Sequence, residues 1–290
     1  MLDLIILGFT EGITEFLPIS SSGHLILIRD ILGMKTNFDL SFDAVLQLAT
    51  GLALVVYFWK DIWNLIKTFF SFLTFRRRSG SIPSVIESET KQSRTLILAI
   101  ILGTIPAVVG GLLLQKQMDT IFRNLHLVAY VLIAGSIVMY LAELYSKHLS
   151  VLSTSPVIAS EDGAIQSSLT IKKGIAIGFF QCLSLLPGFS RSGATISGGL
   201  FMGLTREQAA RFSFLLSIPI IIGSGLLKLF ELIHSHELGG LGLPLLVGSL
   251  VAFVTGLVVV HYLLRFLKSH KLNVFVYYRV ILAILILILL

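Results

Sequence analysis

The chain has 290 residues, of which 55% are hydrophobic and only 13% are charged, and its mean hydropathy is +0.91. This composition excludes an ordinary soluble domain and indicates a polytopic membrane protein. The formal net charge of +6 does not indicate nucleic-acid binding, because the basic residues lie in short loops between apolar segments, where they control topology. We therefore expect the lipid bilayer, and no nucleic acid, as a partner.

The first apolar segment, residues 4–32, is interrupted by Pro18 and Gly23. A bilayer core about 30 Å thick requires about 20 helical residues, whereas each half of this segment, about 14 residues long, covers only about 21 Å. Irregular backbone at that depth must be buried in protein or reach water. The pattern predicts a re-entrant helical hairpin with a polar tip at residues 18–23.

The next segments predict one full span, residues 42–59, and a long loop, residues 60–94, with an amphipathic piece near residues 62–75. Residues 174–204 repeat the first pattern and are broken in the middle at Pro187, which predicts a second hairpin. The other predicted spans are residues 96–114, 125–145, 212–233, 243–267 and 274–290.

The chain is thus predicted to be an all-α integral membrane protein with six transmembrane helices and two re-entrant helical hairpins. Lysine and arginine are concentrated in alternate loops, so the positive-inside rule places those loops in the cytoplasm and both termini outside. The hairpins then enter from opposite sides, as they would in an inverted repeat. The basic loops are residues 60–94, 147–173, 205–211 and 268–271.

A short internal match favours this inverted repeat. An offset of 170 aligns Ser-Ser-Ser-Gly at residues 20–23 with Ser-Arg-Ser-Gly at residues 190–193. Chance is a competing explanation for so short a match, but paired broken helices in two halves point to a site in the membrane interior. We predict a single membrane domain with halves at residues 1–146 and 171–290, joined by a linker at residues 147–170.

Two carboxylates, Glu11 and Glu15, lie four residues apart in the first half of the first hairpin. This spacing stacks them on one helix face, where two negative charges repel each other. Either one carboxyl group stays protonated or a cation lies between them. Mg²⁺ commonly uses one or two carboxylates together with phosphate oxygens, so the pair is a candidate site for a divalent cation.

The tip of the first hairpin carries three consecutive hydroxyls, Ser20, Ser21 and Ser22, followed by Gly23 and His24. One serine would suffice to cap the helix that follows. The excess predicts a nest of hydroxyl and backbone N–H groups aimed at an anion. His24, next to serines and acids, is a candidate general base or general acid.

Arg191 lies at the tip of the second predicted hairpin. A guanidinium keeps its charge, so inside the membrane it must meet an anion, and its planar fork suits phosphate. Ion pairing with Glu11 or Glu15 is the competing interpretation, and both hold if the pair forms only in the empty site. Neighbouring residues that add donors are Ser190, Ser192, Gly193 and Thr195. The two tips are therefore predicted to meet and hold a phosphate.

Two segments closely resemble the signatures of the bacterial undecaprenyl-diphosphate phosphatase family. They are Glu-Gly-Ile-Thr-Glu-Phe-Leu-Pro-Ile-Ser-Ser-Ser-Gly-His at residues 11–24 and Leu-Pro-Gly-Phe-Ser-Arg-Ser-Gly-Ala-Thr at residues 186–195. The resemblance extends to Phe-Asp-Ala-Val-Leu-Gln-Leu at residues 42–48, to the chain length and to the hydropathy profile. It therefore covers essentially the whole chain.

The resemblance implies an inner-membrane enzyme that converts the C55 lipid undecaprenyl diphosphate to undecaprenyl phosphate and inorganic phosphate. It also implies recycling of the lipid carrier for peptidoglycan synthesis, bacitracin resistance, dependence on a divalent cation such as Mg²⁺ or Ca²⁺, and a homodimer. The family fold, with interdigitated inverted repeats and re-entrant helices, agrees with the layout predicted above.

By the same resemblance, the paired glutamates of the family correspond to Glu11 and Glu15. Its motif serine and histidine correspond to Ser21 and His24, and its essential arginine corresponds to Arg191. As a hypothesis, Arg191, the serines around it and a cation on the glutamates hold the diphosphate. Ser21 is then the nucleophile and His24 its proton partner, or His24 activates water directly, and the sequence does not separate these two versions.

Two other functions compete with this one. Broken helices that meet inside the membrane are also typical of transporters, so a carrier of polyprenyl phosphate or another anion is the alternative. Ser22-Gly23-His24 and Ser190-Arg191 also resemble short motifs of the type-2 phosphatidic acid phosphatases. That chemistry needs a further histidine after the Ser-Arg motif, and residues 193–211 contain none, which makes this interpretation improbable.

Overall fold

The computed structural model describes residues 1–34, 39–73, 84–119, 124–152, 169–234 and 242–289. Within these ranges the chain is helical and has no β-strand, which confirms the all-α class. Parts of the predicted loops at residues 60–94 and 147–173 lie outside the described residues. The described helices are α1 (Leu2–Thr14), α2 (Ser21–Ile31), α3 (Asp39–Tyr57), α4 (Trp59–Leu73), α5 (Ser84–Asp119), α6 (Leu125–Leu152), α7 (Ile171–Cys182), α8 (Arg191–Phe201), α9 (Arg206–His234), α10 (Gly242–Leu267) and α11 (Asn273–Leu289).

Two apolar segments are broken where the sequence predicts it. Between α1 and α2 the chain turns around Pro18, and between α7 and α8 it passes through a 3-10 turn at Leu183–Leu185 and then Pro187. Proline cannot continue a helix, because it lacks the N–H group and its ring crowds the preceding turn. In each segment the two short helices pack against each other.

Four helices of the described part are long and apolar enough to cross a membrane, and they lie in α5, α6, α9 and α10. α3 and α4 pass the same test only together and are bent by 79° at their junction. α11 is apolar but has 17 residues. These helices define a multi-pass membrane protein.

Two helices are longer than the sequence predicts. α5 begins at Ser84, inside the predicted loop, and α6 ends at Leu152, inside the segment predicted as a linker. Hydropathy marks only the part of a helix that lies in hydrocarbon. Lysine, glutamate and leucine favour the helix almost as well as alanine does, so both helices continue beyond their apolar parts.

Glycines let the first helix of each broken segment pack closely on a long helix. A Cβ added to Gly8 of α1 would collide with the carbonyl oxygen of Gly248 in α10. A Cβ added to Gly178 of α7 would collide in the same way with Gly103 in α5. Gly8 and Gly178 are related by the offset of 170 that aligns the two tips. Small residues allow such backbone contact between membrane helices, so α1 and α7 are held in equivalent ways.

Both tips lie inside the helix bundle. α8 packs against α6, α7 and α9, and every residue from 192 to 200 is buried. Phe16, in the first tip, packs its ring edge-on against Phe214 of α9, with centroids 5.5 Å apart. Both rings belong to an apolar cluster that α8, α9 and α10 share. The polar groups of the tips are therefore surrounded by protein.

Replacing Gly8 by alanine is expected to lower the thermal unfolding temperature of the detergent-solubilised protein. The added methyl group would collide with the Gly248 carbonyl, and overpacking of a close contact typically costs about 1–3 kcal/mol. Gly223→Ala is the matched control, because a Cβ at that position meets nothing within 4 Å. Equal unfolding temperatures for the two variants and the wild type would contradict the close contact between α1 and α10.

Candidate active site

The carboxylate of Glu15, the residue that caps the end of α1, joins the two tips. Its side chain is 4% exposed. The hydroxyl of Ser21, the first residue of α2, donates a hydrogen bond of 2.6 Å to Oε2. Nη1 of Arg191, the first residue of α8, lies 3.6 Å from Oε1. One buried carboxylate therefore contacts the N-terminal ends of both tip helices.

The guanidinium of Arg191 is incompletely used by this contact. Its Nη1 atom is buried and has no hydrogen-bond partner among the described residues, while 19% of the side chain remains exposed. A guanidinium inside a protein requires acceptors for its N–H groups. Because Nη1 has an ion-pair contact with Glu15 but no hydrogen bond, it can still donate a hydrogen bond to an anion such as phosphate.

The two tip helices begin in the same way. Ser20 and Ser190 precede α2 and α8 with positive φ angles of 75° and 76°, a region that non-glycine residues seldom adopt. Each serine hydroxyl accepts a hydrogen bond from the N–H group three residues on, at 3.3 Å from Gly23 and 3.1 Å from Gly193. The positive ends of two helices, which favour an anion, thus meet at Glu15.

The other predicted donors of the tips have protein partners. Ser22 Oγ lies 3.4 Å from the hydroxyl of Ser20, the serine that caps α2. Ser192 donates to the carbonyl of Leu17 at 3.1 Å, which ties the second tip to the first. Thr195 is fully buried and shares a hydrogen bond of 2.5 Å with Ser213 of α9. Ser192 and Thr195 therefore support the second tip from within.

Glu11 lies one helical turn before Glu15 and is completely buried. Neither of its carboxylate oxygens has a hydrogen-bond partner among the described residues. The charged groups that act on it are Glu15, Asp43 and Arg191. Asp43 is paired with Arg29, whose two Nη atoms lie 2.8 and 2.6 Å from its carboxylate oxygens.

This pair of glutamates fits a cation site supplied by two carboxylates. A buried carboxylate needs a compensating positive charge or donor. No N–H or hydroxyl donor of the described residues reaches the oxygens of Glu11, whose side-chain neighbour is the carboxyl group of Glu15, so either a shared proton or a cation would compensate the pair. No group of three or more His, Cys, Asp or Glu side chains in the described ranges could hold a metal ion. Glu11 and Glu15 would therefore leave several coordination positions for water and phosphate oxygens.

His24 and Ser21 make no hydrogen bond with each other: the described contacts of His24 are with Ser20 and Tyr278, and that of Ser21 is with Glu15. Its Nδ1 atom is 2.7 Å from the carbonyl of Ser20, and its Nε2 atom is 2.7 Å from the hydroxyl of Tyr278 in α11. Since a carbonyl only accepts, Nδ1 carries the proton, and Nε2 of the neutral ring accepts from Tyr278. The helix places His24 one turn after Ser20, whereas the Ser21 hydroxyl is directed to Glu15.

Sequence reasoning missed Arg279 of α11, which is completely buried. Its Nη1 atom donates to the carbonyl oxygens of Pro18 at 3.2 Å and Phe189 at 2.8 Å. Its Nη2 atom donates to those of Gly188 at 3.0 Å and Leu132 at 3.2 Å. One guanidinium therefore binds the backbone of both tips. The available signal was an arginine in an otherwise apolar final helix, since ionisable groups at membrane depth are functional by default.

A small cleft adjoins Glu15 and Arg191. Its lining residues are Glu15, Phe16, Arg191, Ser192, Ser213, Phe214 and Ser217. Ser213 and Ser217 of α9 were not predicted, although their four-residue spacing in an apolar helix places them on one face. The cleft thus brings two further hydroxyl-bearing residues to the side of the tips.

The fold and the site define a class: an α-helical, multi-pass membrane protein whose interior site combines carboxylate, hydroxyl and guanidinium groups. The chain belongs to the family described as bacitracin resistance protein BacA, whose model matches residues 4–285. The family resemblance that the two motifs predict is confirmed.

Individual relatives match over nearly the whole chain. The undecaprenyl-diphosphatase of Mycolicibacterium smegmatis is 40% identical over 291 residues, with 100% of this chain and 96% of the relative covered. That of Paenarthrobacter aurescens is 37% identical over 280 residues, covering 96% and 92%. That of Myxococcus xanthus is 38% identical over 290 residues, covering 100% and 89%.

Replacing Arg279 by lysine is expected to destabilise the protein although the positive charge remains. A lysine ammonium is a point charge that cannot span the carbonyls of both tips, and each buried carbonyl left without a donor costs about 1–3 kcal/mol. The unfolding temperature in detergent should fall well below that of Arg265→Lys, which changes an exposed arginine of α10. Similar unfolding temperatures for the two variants would show that Arg279 does not hold the tips together.

Proposed function

We propose that this protein hydrolyses undecaprenyl (C55) diphosphate to undecaprenyl phosphate and inorganic phosphate. Relatives that carry the name undecaprenyl-diphosphatase match nearly the whole chain at 37–40% identity. At the level of residues, the proposal depends on the contact of Glu15 with both Ser21 and Arg191. That contact combines a nucleophile, an acceptor for its proton and a phosphate-binding group.

Arg191 and the tip helices bind the diphosphate. Nη1 of Arg191, which has no hydrogen-bond partner among the described residues, donates to an oxygen of the terminal phosphate and loosens its 3.6 Å contact with Glu15. The positive ends of α2 and α8 stabilise the same charge. Of the other predicted binding residues, Ser20, Ser22, Gly23, Ser190 and Gly193 form the helix starts, and Ser192 and Thr195 support the second tip.

Ser21 attacks the terminal phosphorus. Its hydroxyl proton passes to Glu15, its existing acceptor at 2.6 Å, and the bond from that phosphorus to the bridging oxygen breaks, which releases undecaprenyl phosphate. Water then attacks the phosphorus of the serine phosphate, and the bond from phosphorus to the Ser21 oxygen breaks. Glu15 returns its proton to Ser21, and inorganic phosphate leaves with the oxygen of water while the released proton of water passes to phosphate or solvent. Glu15 serves first as a base and then as an acid.

His24 has a positioning role in this scheme. Both of its ring nitrogens are engaged, one by the Ser20 carbonyl and the other by Tyr278. Activation of water by His24 would first require the Tyr278 hydrogen bond to break, so we favour Glu15 as the proton acceptor. His24 instead fixes the start of α2 against α11, which keeps Ser21 directed at Glu15.

Glu11 and Glu15 would hold the divalent cation, Mg²⁺ or Ca²⁺, which would supply positive charge to the phosphoryl oxygens. The unpartnered oxygens of Glu11 support this assignment. The side chain of Glu11 makes no hydrogen bond with any described residue, so its part in the scheme would be to bind the cation, whose positive charge would offset the negative charge of the two carboxylates and of the diphosphate.

We place the enzyme in the bacterial inner membrane, with six spans and two re-entrant hairpins in an inverted repeat and both termini outside. The halves at residues 1–146 and 171–290 are joined by the linker at residues 147–170. The equivalent serine caps and the equivalent glycine contacts of α1 and α7 support this arrangement. A homodimer, recycling of the lipid carrier for peptidoglycan synthesis and bacitracin resistance complete the proposal.

The alternative of a transporter receives no support from the comparisons, because the relatives reported above are named as diphosphatases. The geometry also favours hydrolysis. A transport site needs no hydroxyl hydrogen-bonded to a carboxylate base, as Ser21 is to Glu15.

Glu15→Gln and Arg191→Lys are each expected to slow phosphate release from undecaprenyl diphosphate by about 100-fold or more. Glutamine cannot accept the Ser21 proton, and lysine loses the planar fork that grips phosphate. The measurement is inorganic phosphate release by the purified protein in detergent. Glu231→Gln, which removes a solvent-exposed ion pair with Lys228, is the control, and its rate of phosphate release should stay close to that of the wild type. Near-normal turnover by Glu15→Gln or Arg191→Lys would exclude the proposed site.

Substrate labelled in its terminal phosphate is expected to leave the label on Ser21 when turnover is quenched rapidly with acid. Mass spectrometry of the digested protein identifies the labelled residue, and Ser21→Ala should carry none. Full turnover without any serine phosphate would contradict the nucleophile and favour direct attack by water.

Glu11→Gln is expected to raise the Mg²⁺ concentration for half-maximal activity by about tenfold or more, because one of two carboxylate ligands is lost. Its unfolding temperature should be unchanged or higher, since an unpaired carboxylate is removed from the interior. A chelator should abolish wild-type activity, and Mg²⁺ should restore it. A lower unfolding temperature with an unchanged Mg²⁺ response would make Glu11 a structural residue instead.

A further inference from the structure

α4 (Trp59–Leu73) leaves α3 at a fixed corner. The two helices are bent by 79°, and the residue between them, Phe58, is 2% exposed. The Phe58 ring lies 6.4 Å from that of Phe214 in α9. One turn away, Arg211 donates a hydrogen bond of 3.2 Å to Asp61 of α4. α9 therefore sets the direction of α4, and α4 does not continue the path of α3.

The surface of α4 divides into apolar and polar stripes. Ile62 and Leu65 pack on the apolar cluster that contains Phe58. Next to them runs a stripe that nothing in the described part of the chain covers, with side chains 38–59% exposed: Trp59, Trp63, Ile66 and Phe70. The spacing of four, three and four residues places this stripe on one helix face. A polar stripe of Lys60, Asn64 and Lys67 lies beside it.

The chemistry of the two stripes matches the boundary between lipid headgroups and acyl chains. The indole rings of Trp59 and Trp63 stack at 5.8 Å, and Lys67 Nζ lies 5.5 Å from the Trp63 ring. Tryptophan is enriched at this boundary, and lysine extends from it toward phosphate groups. The exposed stripe also continues from Leu52 and Val56 of α3, so it adjoins the lipid-facing surface.

The apolar part of α4 is too short to cross the membrane by itself. The described helix has 15 residues and reaches about 22 Å, short of the hydrocarbon core of about 30 Å, and three consecutive arginines follow in the sequence at residues 76–78. An amphipathic helix with a basic polar face and an aromatic apolar face is typical of segments that lie in the membrane plane.

We propose that α4 is an interfacial membrane helix. The stripe of Trp59, Trp63, Ile66 and Phe70 lies at the boundary between headgroups and acyl chains, and Lys60 and Lys67 contact lipid phosphates. α3 and α4 are then not two halves of one bent span. The lipid surface is the partner of this face.

This assignment also relates the position of the cleft to the membrane surface. The rings of Phe58, Phe214 and Phe16 form a chain with centroid separations of 6.4 and 5.5 Å, and the last two line the cleft. α4, at the membrane surface, is thus connected by packed aromatic rings to the residues that line the cleft. The proposal concerns α4 alone and stands whether or not the site hydrolyses a diphosphate.

The chain contains two tryptophans, both on α4, so its fluorescence under selective excitation of tryptophan reports this helix alone. The test is tryptophan quenching of the full-length protein in vesicles of phosphatidylcholine that is brominated either in the part of the acyl chains nearer the headgroup or in the part nearer the bilayer centre. We expect stronger quenching by the shallow bromines. Equal or stronger quenching by the deep bromines would overturn the proposal, because α4 would then enter the hydrocarbon. Absence of quenching by either lipid would also overturn it, because protein would then cover the stripe.

Two sets of variants sharpen this test. Trp59→Phe and Trp63→Phe each leave one fluorophore and keep an aromatic ring, and both should show the shallow pattern. Lys60→Leu combined with Lys67→Leu should shift the quenching toward the deeper bromines, since the groups that hold the helix at the headgroups are removed. An unchanged depth in that variant would overturn the contact between the lysines and lipid phosphate.

Discussion

Burial of the Glu15 carboxylate is the constraint on which the rest of the site depends. A carboxylate taken out of water costs several kcal/mol unless donors and positive charge compensate it. Here the compensation comes from Ser21 and Arg191, at the starts of helices that are 170 residues apart in the sequence. The chain must therefore break both apolar segments inside the bundle and bring the breaks together. The pairing is incomplete, because Nη1 of Arg191 lies 3.6 Å from the carboxylate and has no hydrogen-bond partner in the described structure, which is the observation behind the proposed phosphate contact.

Breaking helices in an apolar interior exposes backbone groups that need partners. On the N–H side, the hydroxyls of Ser20 and Ser190 cap the two helix starts. On the carbonyl side, the guanidinium of Arg279 binds both tips. Glycine contacts hold α1 against α10 and α7 against α5. The tips are thus fixed before any substrate arrives, and fixed dipoles that need no rearrangement are what transition-state stabilisation requires.

Local signals in the sequence predict the parts of this site that depend on local chemistry. Pro18 and Pro187 predict the breaks, and the serines that follow them predict the helix starts. Glu15 and Arg191 carry opposite charges inside apolar segments, which predicts that they pair. The role of Arg279 could not be read from a motif, because its acceptors are backbone carbonyls whose position depends on the whole fold. The same holds for the second partner of His24: the hydroxyl of Tyr278 lies 254 residues away in the sequence, so no local motif could predict that contact.

A structure of the protein with a non-hydrolysable undecaprenyl diphosphate analogue would show whether the two tips bind the substrate. We expect the terminal phosphate at the meeting point of the two tips, within hydrogen-bond distance of Arg191 and with the Ser21 hydroxyl facing its phosphorus. A diphosphate bound in a separate cavity, with Arg191 still on Glu15 and Ser21 directed away from phosphorus, would contradict this arrangement.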